Sequence, residues 1–141
     1  MKRILKLLLK YSVLFSYGGM LYVCIELMFR GRSDITMMFC GAISFILIGL
    51  LNQIIPWEMS LLVQSIICGF LIVTPIEYLF GILFNSNFTI WDYRMQPFNV
   101  NGQICLLFSV LWCLLSVAGI ILDDYLRYWL FNEEKPHYKI I

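Results

Sequence analysis

Charge is what this sequence has least of. Asp, Glu, Lys and Arg make up 13% of its 141 residues, where a soluble domain carries about a quarter. The signs nearly cancel, at a net +1. That excludes a nucleic-acid binder, because phosphate recognition needs a marked Lys/Arg excess. Histidine occurs once, at His137, so no histidine cluster is available for zinc. The five cysteines are odd in number and include no C-x-x-C pair. They read as buried thiols in apolar surroundings rather than a metal site or a disulfide framework. No G-x-x-x-x-G-K-[ST] loop occurs, so the chain is not itself an ATPase of that class.

Apolar residues fill the space that charge leaves. They account for 61% of the chain at a mean hydropathy of +0.83. They fall into four runs, 11–29, 35–55, 59–84 and 104–122. A bilayer core of about 30 Å takes roughly 17 to 25 helical residues, and backbone polar groups in lipid must be paired within the segment. The runs therefore predict an all-α membrane protein of four transmembrane helices. Its expected parts are a basic cytoplasmic arm (1–10), a transmembrane domain (11–129) and a cytoplasmic tail (130–141). Lys2, Arg3, Lys6 and Lys10 resemble the basic part of a leader, but no small-x-small cleavage site follows, so the first helix is expected to be retained.

Lysine and arginine set the expected orientation. The arm, the middle turn and the tail share one side and hold seven of them, whereas the 30–34 and 85–103 loops hold Arg30, Arg32 and Arg94. The excess predicts an N-in/C-in chain with the two loops forming a polar outer crown. Tyr11, Trp57, Tyr125, Tyr128 and Trp129 would form an inner aromatic belt, with Trp91 and Tyr93 in an outer one.

Two carboxylates lie within the spans, Glu26 and Glu77, both toward the outer side. An acidic residue there costs several kcal/mol unless paired or hydrated, and so marks a functional site by default. Glu26 has a structural alternative in Arg30, one turn on, where an i,i+4 pair can form. Glu77 has no basic residue on its own helix, which leaves Arg30, Arg32 or Arg94 as its counter-charge. Pro75 removes a backbone donor just before it and is expected to kink the helix. The two regions echo each other, "IELMFRG" (25–31) against "IEYLFG" (76–81), as a parallel duplication of two-helix units would.

The loop "IWDYRMQPFN" (90–99) carries the rest of the crown. Asp92 can cap a turn or pair with an arginine, and Pro97, Asn99, Asn101 and Gly102 are turn residues leading into the fourth helix. The alternative is a lid over Glu77. The candidate substrate-binding set is Glu26, Arg30, Arg32, Glu77, Asp92, Tyr93, Arg94 and Asn99, a charged outward-facing site between the first and third helices. Ser65 with Gly69, and Ser12 with Ser16, have the small-xxx-small spacing of helix contacts. Cys105, Ser109, Trp112 and Ser116 read as packing. Asp123, Asp124 and Arg127 read as a solvated helix exit. "NFT" (87–89) fits a glycosylation acceptor, relevant only in a secretory pathway.

Three stretches, "GGMLYVCIELMFRGRSDITMMFCGAISFILIGLLNQ" (18–53), "WDYRMQPFNVNGQICLLFSVLW" (91–112) and "LDDYLRYWLFNEEKPHY" (122–138), carry a family resemblance. The most specific part is W-D-Y-x-x-x-P-F-N-x-x-G-Q-I, here Trp91, Asp92, Tyr93, Pro97, Phe98, Asn99, Gly102, Gln103 and Ile104. The chain resembles the small bacterial integral membrane proteins known as Putative ABC-transporter type IV, or ABC-transporter permease, proteins. It departs from their pattern at Arg94, where a serine usually follows W-D-Y, and at Asp34 and Ile35, where a histidine and an aromatic often stand. The resemblance implies a transport subunit in the lipid bilayer whose motor ATPase is a separate chain.

Three functions are compatible with these features. The first is a permease-type transport subunit in a bacterial plasma membrane, with a homo-oligomer or a membrane partner enlarging the little space four helices enclose. The second is a non-catalytic accessory protein that docks a partner and whose charge pairs are structural. The third is a membrane enzyme using Glu77 or Asp92 as acid or base, which lacks a nucleophile–histidine or metal constellation. No cofactor is expected.

Overall fold

The computed structural model describes residues 1–56 and 59–138. Trp57 of the expected inner belt and Lys139 of the charge count lie outside the described residues. Four helices are long and apolar enough to cross a membrane: Lys2–Arg30 (α1), Ile35–Ile54 (α2), the third span Leu61–Phe84, and Leu106–Phe131 (α5). The chain is an all-α membrane protein. Two two-residue strands, β1 (Asn99–Val100) and β2 (Ile104–Cys105), pair antiparallel in the loop before α5.

The basic arm is not a separate segment but the first turns of α1. At 1.5 Å per residue, its 29 residues reach about 43 Å, longer than a hydrocarbon core of about 30 Å. Gly31 ends the helix at φ +69°, the left-handed conformation glycine adopts without a Cβ clash. Asp34 then starts α2, accepting the Thr36 N–H at 2.9 Å and its hydroxyl at 2.6 Å. Those bonds hold the Asp34 carboxyl below the ordinary range. The departure from the family pattern at this position thus has a capping role.

The third span is α3 (Leu61–Cys68), a π-helical turn (Gly69–Val73) and α4 (Thr74–Phe84). Pro75, where a kink is expected, lies just beyond this turn. Pro75 cannot donate to the ladder, and one residue earlier the Thr74 N–H reaches back five residues to the Gly69 carbonyl. The Thr74 hydroxyl donates to the same carbonyl at 2.7 Å.

Helix α2 is the centre of the bundle, packed along α1 and also against the third span and α5. Small residues allow the close approaches. Gly41 lies where a Cβ would strike the Tyr22 side chain, and Gly69 where one would strike the backbone of Cys113 on α5. Ser12 and Ser16 do not make the expected contact: both are exposed, and the adjacent pair Gly18 and Gly19 is buried instead. Trp91 and Tyr93 also depart from expectation. They are 4% and 8% exposed and pack with Met37 and Cys105 in the core, not in an outer belt.

The bundle has two polar ends. At the loop end, Arg32 beyond α1 donates to the Thr89 carbonyl at 3.5 Å. At the terminal end, Lys10 of α1 bonds Glu133 beyond α5 at 2.6 Å.

Candidate functional site

Glu77 lies on α4 and is 1% exposed. Its two carboxylate oxygens are held by residues from two other parts of the chain. The Tyr93 hydroxyl donates to Oε1 at 2.9 Å, and the Trp112 indole N–H donates to Oε2 at 2.7 Å. Each donor packs against a second aromatic ring. Tyr93 lies flat on Phe108 with ring centroids 4.5 Å apart, and Trp112 packs on Tyr22 of α1 at 5.6 Å. Burial and the adjacent carboxylate push the Tyr93 phenol well above its usual range, so it remains a donor. None of the three arginines expected as counter-charge reaches Glu77, which has no ion-pair partner among the described residues.

Below this carboxylate lies a cavity of about 140 Å³ between α1, α2, the third span and α5. Leu21, Ile25, Phe45, Ile48, Val73 and Leu122 form most of its apolar wall. Ser44 also lines it. Its hydroxyl is buried without an oxygen or nitrogen partner and has only the Cys40 thiol beside it, a weak partner.

The loop that delivers Tyr93 is tied down by Asn85, which is fully buried. Its amide donates to the Trp91 carbonyl at 2.6 Å and to the Gln103 side chain at 3.0 Å, while its oxygen accepts the Ile90 N–H at 2.9 Å. Gln103 returns a bond to the Asn85 carbonyl at 3.0 Å. The turn at Asn101 and Gly102, with φ of +53° and +68°, closes the hairpin. The Gly102 carbonyl then accepts the Tyr93 N–H at 2.9 Å.

The eight candidate residues do not form one cluster. Glu26 pairs with Arg30 on its own helix at 2.7 Å, the structural alternative the spacing offered. Arg32 contacts Thr89 and shares a surface cleft of about 280 Å³ with Arg30. Asp92 and Arg94 pair with each other at 2.7 Å, and the Arg94 guanidinium covers the Phe88 ring at 4.2 Å. That pairing lowers the Asp92 carboxyl and raises the Arg94 guanidinium from their ordinary values. Asn99 is a turn residue, donating to the Gln96 carbonyl at 2.8 Å and accepting the Gly102 N–H at 3.0 Å. Of the other seven, only Tyr93 hydrogen-bonds Glu77.

The family model described as Putative ABC-transporter type IV matches residues 6–136. The chain belongs to that family. No curated protein and no solved structure matches it. In this ABC-transporter type IV member the Trp-Asp-Tyr run serves three purposes. Trp91 donates its indole N–H to the Gln103 carbonyl at 2.8 Å, Asp92 holds Arg94, and Tyr93 holds Glu77.

The terminal end overturns one expectation. Asp123, Asp124 and Arg127 are not a solvated helix exit, since they are 1%, 5% and 3% exposed. Arg127 pairs with Asp123 at 3.1 Å, and Asn52 of α2 donates to Asp124 at 2.6 Å. Gln64 of α3 donates to Asn52, also at 2.6 Å. Gly49 provides the room for Asp123 against α2. The amide residues Asn52 and Gln64, set in apolar runs, were the signal available in the sequence.

Proposed function

We propose that this chain is a permease-type subunit of a multi-chain transporter in a bacterial plasma membrane, with both termini cytoplasmic and the motor ATPase on another polypeptide. It is a binding and conducting component rather than an enzyme. The observation that carries the reading is Glu77, a buried carboxylate held by two neutral donors at the head of an apolar cavity inside the bundle. Side chains of this kind in membrane spans mark pathways, and family membership supports transport. Glu77 and Tyr93 form the binding centre. Glu26, Arg30, Arg32, Asp92, Arg94 and Asn99 frame its loop end.

Purification from native membranes tests this reading. An ATPase should co-purify, and Glu77→Gln should leave that complex intact while abolishing ligand-stimulated ATP hydrolysis. A chain that purifies without any ATPase would be an accessory protein instead. The closed pairs Glu26–Arg30 and Asp92–Arg94 favour that second reading for the crown. A photocrosslinker at Arg94 would then trap a docked partner. For orientation, an impermeant thiol reagent applied to intact cells should label Asn99→Cys and spare His137→Cys.

A further inference from the structure

We propose that the cavity under Glu77 binds a cationic amphiphile, a molecule with an alkyl or single-ring body and one ammonium group, which enters sideways from the bilayer. The proposal names the ligand class of the site above, and it rests on the transport reading for any movement of the bound molecule across the membrane.

Charge comes first. A carboxylate has about four acceptor positions, and Glu77 uses two of them, on Tyr93 and Trp112. Both donors are neutral. A carboxylate enclosed by apolar side chains and lacking a cation is costly, and no basic side chain among the described residues pairs with Glu77. A ligand ammonium supplies the missing charge. A carboxylate-bearing ligand would be repelled, and a purely apolar one would leave Glu77 as it is. Tyr22 and Trp112 both line the cavity, and aromatic faces add attraction for an ammonium.

Size and access fit the same ligand. The cavity is about 140 Å³, and an engineered apolar cavity of about 150 Å³ in another protein admits benzene. The guest is therefore a short chain or one ring rather than a whole lipid. Helix α1 packs mainly on α2 and meets α5 over a short stretch only. Ala118 of α5 lines the cavity and is also exposed on the bundle surface. The seam between α1 and α5 is the route from lipid to Glu77.

The test uses the full-length protein in phosphatidylcholine nanodiscs, titrated calorimetrically with hexylammonium, hexanol and hexanoate, with empty nanodiscs subtracted. Hexylammonium should bind saturably and at least tenfold more tightly than hexanol, with hexanoate not binding. Glu77→Gln should remove that preference. Gly119→Leu should abolish binding of both, because the Cβ direction at Gly119 meets only Ile48 at 3.8 Å and leads into the cavity. If Gly119→Leu does not fold, the preference and its loss in Glu77→Gln decide alone. Equal affinity for amine and alcohol, or no saturable binding, overturns the proposal. Co-purification of an ATPase without amine binding removes the ligand class and leaves the transport reading standing. Amine binding without an ATPase does the reverse.

Discussion

At the residue scale, the centre of the molecule is a carboxylate that its own helix does not satisfy. Tyr93 and Trp112 lie 16 and 35 residues away in sequence, and each gives Glu77 one hydrogen bond. A hydrogen bond to a charged group contributes about 1.5–3 kcal/mol, so Tyr93→Phe should lower stability by about 2 kcal/mol, read as the unfolding midpoint in detergent. Tyr93→Phe should retain the Phe108 stacking, and a loss near zero would mean the hydroxyl does not hold Glu77. Asp34 gives a pH prediction. Its folded-state carboxyl is lowered by the Thr36 bonds from an ordinary 3.8, so its contribution is fully present above that value and is lost as pH falls through the lowered one. Asp34→Ala should cost about 1 kcal/mol near neutrality. The difference from the unmodified chain should close only below pH 3.8. A difference that closes at pH 6 would assign the effect to another group.

At the element scale, the third span is two α-helical pieces joined by a π turn, and its seam with α5 is set by Gly69. Gly69→Leu would place a side chain on the Cys113 backbone, and overpacking of this kind costs about 1–3 kcal/mol. The larger consequence is positional, because α5 carries Trp112. Indole emission should shift to the red as Trp112 leaves Glu77, and an unshifted spectrum with normal stability would show that the seam tolerates bulk. That Pro75 lacks an N–H is a local fact, readable in the sequence. The π turn before it was not, because the Thr74 hydroxyl supports the Gly69 carbonyl there and Gly69 packs on another helix.

At the scale of the whole molecule, one end is closed by ion pairs and amides that join all four spans. Lys10 reaches Glu133, Arg127 reaches Asp123, and Asn52 links Asp124 to Gln64. Breaking a buried pair from one side costs about 3–5 kcal/mol, because a charge is left unmatched. Arg127→Met should destabilise by that amount. Adding Asp123→Asn should recover most of it, which a double-mutant cycle measures. Additive losses would show that the two side chains do not interact.

The order of residues was enough to settle the membrane-spanning helices and the pairs that lie one helical turn apart. Unbroken apolar runs have no other stable form in lipid, and Glu26 with Arg30 needs only a helix to meet. The turn at Asn101 and Gly102 was legible for the same local reason. Which polar residues face inward was settled by tertiary packing and by nothing nearer. Asp123 and Asp124 look like a water-facing exit beside Arg127, yet Asn52, 71 and 72 residues away, turns them into core. Trp91 and Tyr93 look like interfacial anchors until Asn85 and Gln103 fold their loop into the bundle. Composition and spacing report a residue's own helix. The face it presents is chosen by neighbours that only packing brings near.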